Sequence, residues 1–379
     1  MIYWRLSGFY LCYFISLGAL VPYWSVYLKS VGLSVADIGE LFAILMASKV
    51  VAPNVWGWIA DHTGHRMTIV RIASLLAVLA FSGVFVGSSF WWLALVMTGF
   101  GFFWNAALPQ FEATTMNHLG DESHRYSGIR LWGSVGFIIA VVTLGPVIDH
   151  YGAGSLPTIL LVVFVLIWLS SLTVPESAAG HLPLDQQPLL SVVKRPEVFS
   201  LLLVCFLVQA SHGPYYTFYT LYLEEFGYST AQIGQLWALG VVAEIVIFLF
   251  MPLLLSRYSS RHLLLVTVTL TTLRWVLIAW LAHHPVVVIL AQTLHAASFG
   301  LYHAVAIHMI HRLFTGAHQG RGQALYSSLS FGAGGALGSI ASGYLWTGLG
   351  PKSMFTLAAV TGLIAVLVVY AGIRLEPSK

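Results

Sequence analysis

The sequence predicts an all-α membrane protein: twelve transmembrane helices in two pseudo-symmetric six-helix bundles, with both termini cytoplasmic. Three observations predict it. The composition suits lipid rather than water, the basic residues are distributed asymmetrically along the whole chain, and one stretch recurs half a chain later.

Of the 379 residues, 58% are hydrophobic and 8% are charged, and the mean hydropathy is +0.84. A water-soluble domain carries roughly a quarter charged residues, so most of this surface faces hydrocarbon. A bilayer span takes ~20 mostly apolar residues. The chain divides into such stretches at 7–28, 36–58, 68–87, 91–115, 127–148, 156–174, 197–222, 231–255, 263–282, 286–312, 322–347 and 354–373. The first resembles a signal peptide in position, but it is too long for a signal's apolar core and eleven more follow. Little chain is left for a soluble domain.

The net charge is +3, and a basic excess can mark a nucleic-acid partner. The placement of the charges argues against that. With a cytoplasmic N-terminus, Arg5, Arg66, Arg71, Arg125, Lys194, Arg195, Arg257, Arg261, Arg312, Arg321, Arg374 and Lys379 all fall on the cytoplasmic side. Only Lys29 and Lys352 fall outside, and Lys49, Arg130 and Arg274 lie within spans. This is the positive-inside pattern. It predicts a multi-pass protein whose partner is the lipid bilayer, and the lack of any Asn-x-Ser/Thr sequon fits a bacterial inner membrane. Cys12 and Cys205 sit in apolar spans and read as packing residues. His308, His311 and His318 lack a carboxylate or thiol to complete a metal site. No cofactor is expected.

The repeat sets the organisation. Residues 27–42, YLKSVGLSVADIGELF, align with 222–237, YLEEFGYSTAQIGQLW, at an offset of 195. Arg125-Tyr126-Ser127-Gly128 and Gly136 align with Arg321-Gly322-Gln323-Ala324 and Gly332 at an offset of 196. The expected division is an N-terminal bundle over 1–175, a cytoplasmic linker over 176–196 and a C-terminal bundle over 197–379. Parallel six-span repeats of this kind describe the major facilitator architecture.

After the second span comes Gly57-Trp-Ile-Ala-Asp61-His62-Thr-Gly64-His65-Arg66. It resembles the major facilitator loop motif, with His62 and His65 where Arg or Lys is usual. Gly57 suits close helix packing, Gly64 a tight turn, and Arg66 a bridging charge. Asp61 is placed to cap the third helix. A decayed copy, Pro252 to Arg261, has Ser256 at the acidic position. The motif bears on gating and is silent on substrate.

Ionisable residues inside spans are costly and are functional candidates. Glu112 and Arg130 lie eighteen residues apart, in Pro109-Gln-Phe-Glu112 and Arg130-Leu-Trp-Gly133-Ser-Val-Gly136-Phe137. This setting is similar to that of the oligosaccharide:proton symporters of the lactose permease type, whose Glu–Arg pair binds substrate. Arg274 and His295 resemble the proton-coupling residues of those symporters. Two departures stand beside them: Ser298 takes the place of the proton-carrying carboxylate, and Gln292 that of a lysine. The chain resembles the 3-phenylpropionate permease family more closely, in Pro22-Tyr-Trp24-Ser-Val-Tyr-Leu28, Arg130-Leu-Trp-Gly-Ser134, Ala243-Glu244-Ile-Val-Ile-Phe248 and Leu273-Arg274-Trp275.

The resemblance implies secondary transport without enzymatic activity: proton-coupled uptake of a small aromatic carboxylate, by a functional monomer. The expected substrate residues are Glu112, Arg130, Lys49, Phe137, Trp104, Asn105, Tyr215 and Tyr219. Glu244 is the leading proton carrier and His295 the second candidate, with Arg274 beside them. Gly57, Asp61, Gly64 and Arg66 form the gating motif. Trp24, Tyr27 and Tyr219 fit a membrane-interface role equally well. Sugar or nucleoside symport on the same scaffold is the alternative. Drug efflux is disfavoured because Gly145-Pro146-Val-Ile-Asp149 lacks the closing glycines of the efflux motif. An enzyme is disfavoured too, since no nucleophile elbow, His-Glu-x-x-His helix or P-loop is present.

Overall fold

The computed structural model describes residues 2–176, 189–315 and 318–373, and these form helices joined by short turns, without a strand. The helices are α1 (Ile2–Ser30), α2 (Val35–Thr63), α3 (Arg66–Ser82), α4 (Phe90–Leu119), α5 (Tyr126–Tyr151), α6 (Leu156–Thr173), α7 (Pro196–Glu224), α8 (Thr230–Arg257), α9 (Ser260–Leu281), α10 (Pro285–Leu313), α11 (318–349) and α12 (Pro351–Gly372). Among the described residues, nine helical runs are long and apolar enough to cross a bilayer. One of them, Phe90–Tyr151, contains both α4 and α5. Helix α2 and the run 318–349, both more polar, complete the twelve. His308, His311, Cys12 and Cys205 enter no metal cluster among the described residues, and both cysteines are free.

Contacts divide the chain into two units. Unit 1 holds Met1–His181 with Gly227–Ala238, and unit 2 holds Leu182–Phe226 with Leu239–Lys379. The loop and first turns of α8 therefore pack with unit 1, and the rest of α8 packs with unit 2.

Each unit follows the same packing scheme. In unit 1, α1 packs on α5 and α6, while α3 packs on α4 and α6. In unit 2, α7 packs on α11 and α12, while α9 packs on α10 and α12. Backbone polar groups cannot be left unpaired in lipid, which restricts spans to helices. Close approach of those helices needs small residues. Gly136 of α5 meets the Leu11 carbonyl of α1, and Gly338 of α11 meets the Ala210 carbonyl of α7. A methyl group at either glycine would force its pair apart. Outward faces keep large apolar side chains exposed, among them Trp91, Val86 and Leu249, as a lipid-facing surface requires.

The repeated sequence has a local physical meaning. Gly32 and Gly227 adopt φ of +90° and +82°, a region open to glycine. Ser34 then caps α2: its hydroxyl accepts from Asp37 N–H at 3.2 Å, and Asp37 accepts from Ser34 N–H at 3.0 Å. At α8, Ser229 and Gln232 form the same reciprocal box, at 3.2 and 2.9 Å. The repeat thus encodes one turn, used twice.

Irregular backbone gathers in unit 2. Helix α7 breaks at His212, where Gly213 and Pro214 follow. Helix α10 is π-helical over Ala296–Leu301, and α11 over Ser328–Gly334. Such π segments are rare and recur at functional sites.

Candidate substrate and proton sites

In unit 1, α4 and α5 bring Glu112 and Arg130 together. Arg130 Nε lies 3.9 Å from Glu112 Oε1, and both side chains are about one-third exposed. At this distance the pair is loose. The Arg130 guanidinium lies 4.0 Å over the Phe14 ring and 5.7 Å from that of Tyr10. Gly133, one turn away, leaves the space that Arg130 folds back into. Tyr126 is in hydrogen-bonding range of both charges, and Tyr10 donates to Thr115 Oγ1 at 3.3 Å. Phe14, Tyr10 and Tyr126 were not among the sequence candidates. The signal for Phe14 and Tyr10 was their spacing on α1, one turn apart.

Beside them, Tyr13 stacks on Trp104 with ring centroids 5.1 Å apart, and Phe100 stacks on the other side of Trp104 at 5.6 Å. Asn105 donates to Ser48 Oγ at 2.7 Å, which ties α4 to α2 at the turn carrying Lys49. Phe137 is buried against Trp237. Lys49 itself is half-buried in mid-helix and makes no hydrogen bond or ion pair among the described residues. Trp24 and Tyr27 stack on each other, and Trp24 also meets Phe81. Both side chains are buried inside unit 1.

The loop motif folds as one knot. Arg66 pairs with Asp61 at 2.7 Å and donates to Gln110 Oε1 at 2.8 Å. Gly64 ends α2 with φ +71°, its N–H bonding the Ala60 carbonyl. Gly57 faces the Gln110 side chain. The capping role expected of Asp61 goes elsewhere. Glu176, just past α6, accepts from Met67 and Thr68 N–H at 3.0 and 3.2 Å. Asp61 lies in the last turn of α2, where Arg66 takes its carboxylate before it reaches the start of α3.

In unit 2, Arg274 of α9 is fully buried. Its Nε donates to the Ala291 carbonyl at 2.9 Å, Nη2 to Gln292 Oε1 at 2.6 Å, and Nη1 to Ser298 Oγ at 2.9 Å. Its guanidinium lies over Tyr215 at 4.2 Å and Trp275 at 4.8 Å. Ser298 and Gln292, the two departures, thus serve as neutral acceptors for the arginine. Tyr215 also donates to Gln292 at 3.4 Å, and Tyr219 packs on Tyr215. Tyr215 therefore belongs to the arginine cluster.

The remaining contact fixes a proton. Arg274 Nη1 lies 3.2 Å from His295 Nδ1. A guanidinium can only donate, so Nδ1 accepts and the ring proton stands on Nε2. That nitrogen lies 3.6 Å from Glu244 Oε2, within ion-pair range and a little beyond a hydrogen bond. His295 cannot gain a second proton without turning Nδ1–H against the arginine. His212 has the opposite tautomer: Nδ1 donates to the Val208 carbonyl at 2.7 Å, leaving Nε2 a buried acceptor without a partner among the described residues. Nothing in the sequence distinguished His212 from the other histidines.

The model of the MFS_1 like family matches residues 3–357. The chain belongs to this family. It is a major facilitator transporter, a multi-pass inner-membrane protein and not an enzyme. Among curated relatives of this family member, the probable 3-phenylpropionic acid transporter of Escherichia coli (strain K12) is 30% identical over 371 residues, 94% of each chain. The maltose permease of Geobacillus stearothermophilus is 27% identical over 95% of this chain and 92% of its own. The crystal structure of the nucleoside transporter NupG superposes with a TM-score of 0.87 at 16% identity, covering 99% of this chain and all of that one. That likeness establishes the major facilitator fold.

Proposed function

We propose that this transporter is a monomeric proton symporter that takes up a small aromatic carboxylate such as 3-phenylpropionate. Lys49 carries the reading. It lies twelve residues before Asp61, ~18 Å along α2 from that end, near the middle of a span. Among the described residues no carboxylate pairs with it. An ammonium at that depth requires a counter-charge or water, and a substrate carboxylate supplies the first. The relative described as a probable 3-phenylpropionic acid transporter agrees with this reading.

Glu244 is the proton carrier in this reading. His295 is held in one tautomer by Arg274 and presents its Nε2–H to the carboxylate, so it orients Glu244 rather than carrying charge. Glu112 and Arg130 bind the substrate, and residues 1–175 rock against 197–379 around it, with Gly57, Asp61, Gly64 and Arg66 at the gate.

One observation favours a second substrate class. The Glu112–Arg130 pair is loose and about one-third exposed, so both groups have capacity left for sugar hydroxyls. Accumulation by proteoliposomes separates the two, with labelled 3-phenylpropionate, lactose and a nucleoside each measured with and without a protonophore. Protonophore-sensitive accumulation of the aromatic acid alone is the expected result. Accumulation of lactose or the nucleoside in its place would overturn the carboxylate assignment.

A further inference from the structure

His303 lies on α10, eight residues and ~12 Å beyond His295, toward the end that carries His311 and Arg312. Aromatic side chains of unit 2 box its ring. Phe299 stacks between the two histidines, with centroids 5.4 Å from His295 and 5.9 Å from His303 and interplanar angles of 1° and 6°. Tyr326 and Phe331 of α11 each stand 5.8 Å from the His303 ring. The π-helical segments of α10 and α11 flank this box, ending at Leu301 and starting at Ser328.

The two histidines differ in what meets Nδ1. At His295 it is the Arg274 guanidinium, which only donates, so the ring keeps a single proton. At His303 it is the Tyr326 hydroxyl, 2.8 Å away. A hydroxyl donates or accepts. When it donates, His303 is neutral and its proton stands on Nε2. When it accepts, Nδ1 holds a proton, and Nε2 takes or gives another while the bond to Tyr326 persists. His303 therefore keeps its partner in both charge states, which His295 does not.

Glu244 sits between the two along α10. Its Oε2 is 3.6 Å from His295 Nε2, and its Cγ packs on Gly300, where a Cβ would stand 2.9 Å from it. Gly300 is three residues before His303, so about one helical turn separates them. The neighbouring polar groups have other partners. Arg274 of α9 is bonded to Ala291, Gln292 and Ser298, and Tyr302 donates to the Cys205 carbonyl of α7 at 3.4 Å.

We propose that His303, held by Tyr326, is the relay that passes the proton from Glu244 to water at the Arg312 end of α10. This rests on Glu244 as the proton carrier. The O–H bond of the Glu244 carboxyl breaks as an N–H bond forms at His303 Nε2, leaving a carboxylate and an imidazolium. The imidazolium then gives that proton to water and returns to neutral. The loaded complex still holds its proton on Glu244. A relay therefore sets the rate of proton release and leaves the coupling ratio unchanged.

The test uses the full chain in proteoliposomes with the labelled solute that the parent accumulates, 3-phenylpropionate in the expected case. His303→Gln should slow net uptake down a concentration gradient about a hundredfold, the low end of what a positioned proton-transfer group contributes. Exchange of labelled for unlabelled solute releases no proton and should keep the parent rate, which also shows that the variant is folded. Without a pH gradient, imidazole on both sides should restore net uptake to His303→Gln by replacing the missing acceptor. Tyr326→Phe keeps the ring and should slow net uptake about tenfold, the loss of one hydrogen bond to a charged group. Under a pH gradient His303→Gln should reach the parent's final accumulation ratio, and Glu244→Gln should not. Net uptake by His303→Gln at the parent rate, or a slowing that imidazole leaves in place, would overturn the relay alone. A lowered final ratio for His303→Gln would make it part of the carrier and overturn the relay too. If Glu244→Gln keeps the full ratio, the carrier reading falls and takes the relay with it.

Discussion

Replacing Glu244 by Gln separates proton coupling from binding. The carboxylate faces His295 Nε2 at 3.6 Å and makes none of the four bonds that anchor Arg274. Gln keeps an acceptor oxygen of the same reach. What is lost is the charge attraction between Glu244 and the His295 Nε2–H, about 1 kcal/mol or a factor of about five in affinity. The binding site should therefore survive. Coupling should not. If one proton accompanies one carboxylate, the loaded complex carries no net substrate charge and the pH gradient alone drives uptake. Each pH unit across the membrane is then worth ~1.36 kcal/mol, a tenfold accumulation ratio. Proteoliposomes given a gradient of one unit should accumulate 3-phenylpropionate about tenfold with the parent protein, and to no more than equilibrium with Glu244→Gln. Exchange of labelled for unlabelled substrate, which needs no net proton movement, should persist within about fivefold. Tenfold accumulation by the variant would place the carrier elsewhere. Loss of exchange together with accumulation would make Glu244 a binding or structural residue.

Three further outcomes are expected. Glu112→Gln should abolish or severely weaken binding measured directly, because it removes the charged half of the loose pair; unchanged affinity would take Glu112 and Arg130 out of the substrate site. Lys49→Gln should lose acids in preference to matched neutral amides, and an equal loss of both would leave Lys49 as structure. Asp61→Asn should slow turnover with substrate affinity nearly unchanged. Its ion pair with Arg66 is largely exposed on the Asp61 side, at 66%, so stability should fall by less than ~1 kcal/mol. A collapse of affinity with normal turnover would remove Asp61 from gating.

The Glu112–Arg130 contact was legible because a fixed spacing in two adjacent spans carries two costly charges, and burial forces such charges to find each other or water. The Arg274 cluster was legible only in part. Arg274 and His295 stood out as polar groups in spans, while Ser298 and Gln292 read as losses, since sequence comparison registers a missing carboxylate and lysine. In three dimensions both are acceptors turned toward the guanidinium, and the carboxylate beside His295 comes from α8. Asp61 was misassigned for a local reason. Its position suggested a cap on α3, yet Glu176, more than a hundred residues later, reaches those N–H groups first.

By itself the sequence determined the membrane class, the helix count and the twofold repeat. These depend on composition and on contacts within about four residues, which the order of residues states directly. Tertiary structure alone decided the tautomer of His295, the partner of Glu176 and the burial of Trp24. Each of these pairs groups from different helices, and a hydrogen bond depends on tenths of an ångström and on which lone pair is already taken. No spacing along the chain records that, because it is set by how whole helices settle against one another.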